Sequence, residues 1–266
     1  MLAANPLRFL QPQTSRPDAP LFVFLPGMDG TGQLLRTQTE GLESRFEVRC
    51  LSIPPDDLTS WEDLTEQTIA LIKAEMRHEN ERTVYLCGES FGACLAIKVA
   101  LHSPHLFRRV ILVNPASSFH RYPWVQWSTQ MTRLLPEPLY RAGCVAFMPF
   151  LASLGQVESA DRRALLKAML SVTQESSVWR LSLLSQFHIT PAQLQRITQP
   201  VLIIASQDDR VLPSRVEAEL LTRELPNARM HLLPNSGHAC LLESGVNLYQ
   251  ILERCSFLEP AIAAIS

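Results

Sequence analysis

The chain alternates short, uninterrupted apolar runs with longer segments whose apolar residues recur every three or four positions. Leu21-Phe22-Val23-Phe24-Leu25, Val84-Tyr85-Leu86-Cys87, Val110-Ile111-Leu112-Val113 and Val201-Leu202-Ile203-Ile204-Ala205 are the clearest runs. Consecutive apolar side chains leave a strand no polar face, so each run reads as a strand covered on both sides, as in a parallel sheet. Phe46 to Ile53 and Met230 to Leu233 add two more. Between the runs the period becomes helical. Residues 33–45 read as a helix. Another starts at Ser60, a capping residue ahead of Glu62 and Asp63, and carries Leu64, Ile69, Leu71, Ile72 and Met76 at roughly helical spacing. Further helices are expected from Phe91 to about His102, over 214–225 and over 240–256. Residues 1–20, rich in proline and polar side chains, read as an extended lead-in.

Strands alternating with helices predict an α/β fold: a mostly parallel sheet with flanking helices. The alternation stops near residue 118. Residues 119–195 offer no convincing strand; they carry Trp124, Trp127 and Trp179 and helical stretches at 159–173 and 175–187. Because the strand pattern resumes directly afterwards, this segment is expected to be a helical lid inserted into a core built from 1–118 and 196–266. An independent helical domain is the alternative.

Composition narrows the picture. With 266 residues, 46% hydrophobic and 19% charged, the chain is ordinary globular material with ample apolar content for a core. A formal charge of −2 gives no electrostatic footprint for nucleic acid. No apolar run reaches the length of a transmembrane helix, and the first ten residues lack the pattern of a signal peptide; peripheral membrane contact stays open. Six scattered cysteines, without C-x-x-C pairs or histidines at metal spacing, point to a reducing, cytoplasmic compartment and away from a metal site. No motif for a cofactor is present. The glycines of Gly27 to Gly32 are followed by no Lys-Ser/Thr and do not have dinucleotide-loop spacing.

The chemistry sits where a strand turns into a helix. Gly88-Glu89-Ser90-Phe91-Gly92 is G-x-S-x-G, the nucleophile elbow, which needs small residues where strand and helix nearly collide. Alone it is weak, since a chain of this length meets the pattern by chance about one time in ten at average usage. Its partners raise the odds. A serine hydroxyl needs a base, and the base needs an orienting acid. In α/β-hydrolases the order along the chain is Ser, acid, His. Here Asp208 and Asp209 follow the strand 201–205, and His238 follows the last strand on the loop Asn235-Ser236-Gly237-His238. The expected nucleophile is therefore Ser90 and the base His238, with either aspartate able to serve as the acid. Cys94 would fall inside the helix and is the poorer nucleophile. An oxyanion hole would draw one N–H from Phe91 and a second from the loop after the first strong strand, where Met28 is the candidate.

Three stretches now look familiar. Leu25-Pro26-Gly27-Met28-Asp29-Gly30-Thr31-Gly32, the elbow, and Asn114-Pro115-Ala116-Ser117-Ser118-Phe119 resemble the esterase, lipase and thioesterase-like portion of phytyl ester synthases. So do Ala205 to Ser214, and Asn235 to His238 through Glu243 to Leu248. Those plastid and cyanobacterial proteins are acyl-transfer enzymes on an α/β-hydrolase fold, and the resemblance spans nearly the whole chain except the middle of the lid. It implies an α/β-hydrolase fold here and selects Asp209, directly before Arg210-Val211-Leu212-Pro213-Ser214, as the acid. Full-length members carry a further acyltransferase-like domain after the hydrolase part, whereas this chain stops at Ser266, which shifts the expectation toward hydrolysis. The expected activity is thus a serine hydrolase cleaving lipophilic esters or thioesters through an acyl-enzyme on Ser90. The alternatives are an acyltransferase making phytyl or other fatty acyl esters and a catalytically silent lipid- or terpenoid-binding protein.

Overall fold

The computed structural model of the chain describes residues 6–12, 16, 18–76, 82–122 and 130–259; Trp124 and Trp127 lie outside them. Its strands are β1 (Arg8–Leu10), β2 (Leu21–Leu25), β3 (Glu47–Ser52), β4 (Val84–Glu89), β5 (Arg109–Val113), β6 (Val201–Ser206) and β7 (Ala228–Leu233). They form one sheet in the order β1-β3-β2-β4-β5-β6-β7. Only β1 runs antiparallel, pairing Arg8 with Ser52 and Leu10 with Cys50. The helices are α1 (Thr39–Glu43), α2 (Trp61–Met76), α3 (Phe91–His102), α4 (Glu137–Leu151), α5 (Ser159–Ser171), α6 (Gln174–Gln186), α7 (Pro191–Leu194), α8 (Ser214–Glu224) and α9 (Leu248–Arg254).

The apolar runs do what their pattern requires. Every residue of β2 is fully buried, and its side chains divide by parity between two cores. Leu21, Val23 and Leu25 face a layer formed by α2, α3 and α8, whereas Phe22 and Phe24 face one formed by α1 and α9. On the second face Phe22, Phe46 and Tyr85 make a continuous aromatic run at centroid distances of 5.3 and 4.9 Å. Between β5 and β6 the described residues of the insertion form helices joined by short turns, with a single bridge of Val157 to Glu243. Met148, Ala152, Leu165 and Ala168 of this insertion pack with Leu34 and Leu242 of the core.

Three expectations need correction. The lead-in contains β1, an edge strand too short to show a pattern. The helix expected over 33–45 is confined to Thr39–Glu43. The buried Gln38 amide instead donates to Leu241 O (2.7 Å) and Val246 O (2.9 Å) and accepts from Leu248 N (2.7 Å), which ties this stretch to the C-terminal segment in turns. The helix expected over 240–256 is split into a 3₁₀ turn, Cys240–Leu242, and α9, because Asn247 caps a new start by accepting from Gln250 N.

The connections from β2 and β4 leave in opposite directions, to β3 on one side and β5 on the other. This is the switch point at which open α/β sheets form a crevice. Pro26-Gly27-Met28 and Ser90 emerge at its two lips.

Candidate active site

Ser90 occupies the turn between β4 and α3 with φ 53° and ψ −112°, outside the region that suits an L-residue. The surroundings leave the turn little alternative. A methyl group on Gly88 would overlap the Gly92 carbonyl oxygen, and one on Gly92 would overlap the Leu25 and Pro26 carbonyls. The two glycines therefore let α3 start directly against β2, and Ser90 N is fixed by donating to Val113 O (2.9 Å). The hydroxyl is thereby presented beside the first turn of α3, whose leading N–H groups lack intrahelical acceptors.

Two other strand ends converge on that hydroxyl. Ser90 Oγ lies 2.8 Å from His238 Nε2, and His238 Nδ1 lies 2.7 Å from Asp209 Oδ2. Asp209 is itself held: Oδ1 accepts from Val211 N (2.8 Å) and Leu212 N (3.0 Å), and Oδ2 accepts from the Ser214 hydroxyl. Burial alone would raise its carboxyl. The positive charge of a protonated His238 and the hydrogen bonds from His238, Ser214 and Leu212 outweigh burial and hold it below its ordinary value. For His238, burial works against the charged ring, but the Asp209 carboxylate and its hydrogen bond outweigh that and raise the imidazole above 6.5. Asp208, the neighbouring aspartate, is exposed and joins none of this. Such an array can accept the hydroxyl proton as oxygen attacks a carbonyl carbon and return it to a leaving group.

The loop after β2 lies against the same serine, with Gly27 placed so that a Cβ there would stand 3.8 Å from Ser90 Cβ. Met28 is half-buried against the core. Phe91 is fully buried and stacked on Trp61 at 4.6 Å. Cys94 is buried in α3 and its thiol pushed well above 9, so it offers no thiolate. Among the described residues no group of three His, Cys, Asp or Glu side chains is arranged to hold a metal ion, and no helix is long and apolar enough to cross a membrane.

Four residues to which the sequence reading gave no role shape the site. Arg180, on α6, is almost completely buried; it donates to Met28 O (2.6 Å) and Pro54 O (2.9 Å), thereby gripping the loop that faces Ser90. Gly30, at φ 67°, makes room for it, since a Cβ there would sit 2.7 Å from Arg180 Nη1. Asn114, at φ 42° where β5 ends, donates through Nδ2 to His238 O (2.7 Å) and Ser206 Oγ (2.9 Å) and accepts from Ser206 N (2.8 Å). Glu243 Oε1 accepts from Gly237 N (2.8 Å) and from Ser153 N (3.1 Å), joining the His238 loop to the insertion. Glu89 is buried beside His238, and burial pushes its carboxyl up to about 8, so it is a neutral acid at pH 7. Asn114, Glu89 and Glu243 lie in stretches that the sequence singled out, but their roles, like that of Arg180, depend on contacts between distant segments.

Phytyl ester synthase 1, chloroplastic, of Arabidopsis thaliana is 34% identical over 276 residues, which cover 94% of this chain and 39% of that protein. The chain therefore spans about two-fifths of the length of this relative and of phytyl ester synthase 2. The pimeloyl-[acyl-carrier protein] methyl ester esterase of Nitrosomonas europaea is 30% identical over 167 residues, 59% of this chain and 65% of that one. Among solved structures, MenH from S. aureus superimposes with a TM-score of 0.76 at 15% identity, covering 94% of this chain and 97% of that chain. At that identity the match speaks to the fold alone. Residues 56–245 match the family described as serine aminopeptidase, S33, and the chain belongs to this family of α/β-hydrolases.

Proposed function

We propose that this protein is a serine hydrolase of lipophilic carboxylic esters or thioesters. The observation that carries the reading is the continuous chain from Ser90 Oγ through His238 to Asp209, at 2.8 and 2.7 Å. Ser90 attacks the acyl carbonyl while His238 Nε2 takes its proton. The Nδ1–H donates to Asp209, which keeps the ring in the attacking tautomer and stabilises the imidazolium. The backbone N–H groups of Met28 and Phe91 receive the developing oxyanion, where loss of one donor costs about 2.7–4 kcal/mol. His238 then protonates the departing alcohol or thiol. Water attacks the acyl-enzyme with His238 as base, and free acid leaves. The insertion over residues 119–195 acts as a lid whose apolar side chains favour a greasy acyl or alcohol group. Six free thiols fit a reducing, cytoplasmic setting.

A second reading is supported by the phytyl ester synthase relatives: Ser90 and His238 are only 9% and 6% exposed, and in a site this dry a long-chain alcohol can replace water as acceptor. The test uses p-nitrophenyl esters of graded chain length, an acyl thioester and an aminoacyl arylamide, each with and without phytol. Ser90→Ala should lower ester turnover by about 10⁴-fold or more and abolish labelling by a fluorophosphonate. Asp209→Ala should fall steeply with it, while Asp208→Ala keeps wild-type rates. Retained turnover in Ser90→Ala sinks the assignment, and phytyl ester in place of free acid selects the transferase. A wild-type protein that neither turns over nor labels is a binding protein.

A further inference from the structure

The helix α4 has the composition of a buried element and the exposure of a surface one. Its inward row, Tyr140, Cys144, Met148 and Leu151, follows helical spacing, but only Met148 is buried. A second row along one flank is equally apolar: Leu139, Gly143, Ala146, Phe147 and Phe150. Leu139, Phe147 and Phe150 stand 57%, 43% and 50% exposed, and the two phenylalanine rings stack in solvent at 5.8 Å. A helix apolar on all sides belongs in a core or against a lipid phase. Beside it, where α4 meets α5, a hollow of about 460 Å³ is lined by Arg141, Arg163, Lys167 and the apolar stems of Leu166 and Leu170. Among the described residues no acidic side chain lines it. Of the nearby acids, Asp161 pairs with Arg36 at 3.3 Å, and Glu137 lies one turn before Arg141 in α4.

We propose that this face docks on an anionic phospholipid surface, with Phe147, Phe150 and Leu139 entering the acyl boundary and Arg141, Arg163 and Lys167 meeting the phosphates. An apolar row flanked by cations is the pattern of an element that lies in the plane of an anionic bilayer. A second copy of the chain fits less well, because two-fold self-contact through this face would bring the three cations toward their own counterparts. The docked helix is also wired to the site. Leu151, one residue past Phe150, accepts from Ala239 N at 2.6 Å, and Ala239 follows His238 directly. Docking thus fixes the lid end that contacts the His238 loop and opens the site toward the phase in which lipophilic esters dissolve. Only this delivery role rests on the proposed ester chemistry; the docking itself does not.

The experiment is co-sedimentation of the full chain with vesicles of phosphatidylcholine, alone or mixed with phosphatidylglycerol, at low and high salt. The active protein and Ser90→Ala should both bind the mixed vesicles and release in high salt. Phe147→Ser with Phe150→Ser should weaken binding about tenfold or more. Arg163→Gln and Lys167→Gln should each weaken it about fivefold. All four substitutions are on exposed side chains and should leave hydrolysis of p-nitrophenyl acetate unchanged, so a loss of binding is not a loss of fold. Absence of vesicle binding in the unmodified chain, or binding indifferent to both salt and these substitutions, overturns the proposal. So does a dimer in analytical ultracentrifugation that Phe147→Ser with Phe150→Ser splits, which would give the face to a second copy. If the chain binds vesicles but hydrolyses no ester, docking stands and the hydrolase reading falls.

Discussion

Helices α3 and α4 are both short and apolar, yet they end in opposite environments. From Phe91 to Ala100, α3 buries almost every residue between the sheet and α2. Over fifteen residues α4 buries only Met148. The difference is one of constraint. Where α3 begins, three segments of backbone, Leu25-Pro26, Gly88 and Gly92, meet with no room for a methyl group. A methyl group on Gly143 of α4 would meet nothing within 4 Å beyond its own helix. Hydrophobicity is therefore used for fixing the Ser90 turn in one helix and kept available in the other.

The contrast can be broken or sharpened by substitution, beginning with the most severe. Gly92→Ala pushes a methyl into backbone carbonyls that cannot move independently. It should destabilise the protein by about 3 kcal/mol or more, read as a lowered urea midpoint, and should remove activity with it. Tolerance of this alanine would show that the elbow is looser than its geometry.

Arg180→Met comes next, because it leaves the elbow intact and frees the loop opposite. It should lower kcat about tenfold to a hundredfold with KM nearly unchanged, up to the loss of one oxyanion donor. Arg180→Lys should recover only part, since an ammonium cannot fork to both Met28 O and Pro54 O. A fall in thermal midpoint without change in kcat would make Arg180 a packing residue.

Glu89 offers a test through pH. Its carboxyl titrates near 8 in the folded chain against 4.5 ordinarily. Between those values the folded state holds the extra proton, so stability is full below about 4.5 and declines as pH rises through 8. The slope is up to ~1.4 kcal/mol per unit. Glu89→Gln, followed by urea unfolding across that window, should flatten this decline. The smallest effect belongs to α4: Gly143→Ala should be neutral or stabilising by up to about 1 kcal/mol, measured by the same unfolding.

The same contrast explains what could be read from the residues. β2, β4, β5 and β6 announce themselves because a strand buried on both faces has to be continuously apolar. Ser90, His238 and an aspartate after β6 stand out because a serine nucleophile would need those residue types after those strands; the choice of Asp209 over Asp208 comes from the resemblance. Arg8–Leu10 has no such signature: it is an edge strand whose partner, β3, lies forty residues away. The break in the expected 240–256 helix is set by Gln156 O accepting from Ser244 N and by the Asn247 cap, a tertiary contact and a local choice that periodicity does not carry. Arg180 resembles any arginine on an amphipathic helix until α6 is laid over the β2 loop. Local necessity is legible, whereas contacts made across the insertion are not.

Glu243 carries a consequence for anyone who would change what this protein acts on. Its single carboxylate oxygen receives one amide from Gly237, beside His238, and one from Ser153, where α4 gives way to α5. Segments between strands are the usual currency of substrate exchange among α/β folds, swapped as cassettes. Here the cassette is pinned at its middle as well as at its two splice points. A grafted replacement for residues 119–195 that brings no N–H to Glu243 would leave only Gly237 N on a buried carboxylate oxygen that braces the His238 loop. Chimaeras should therefore be cut to retain Ala152 and Ser153, with variation confined to the outward side of α4.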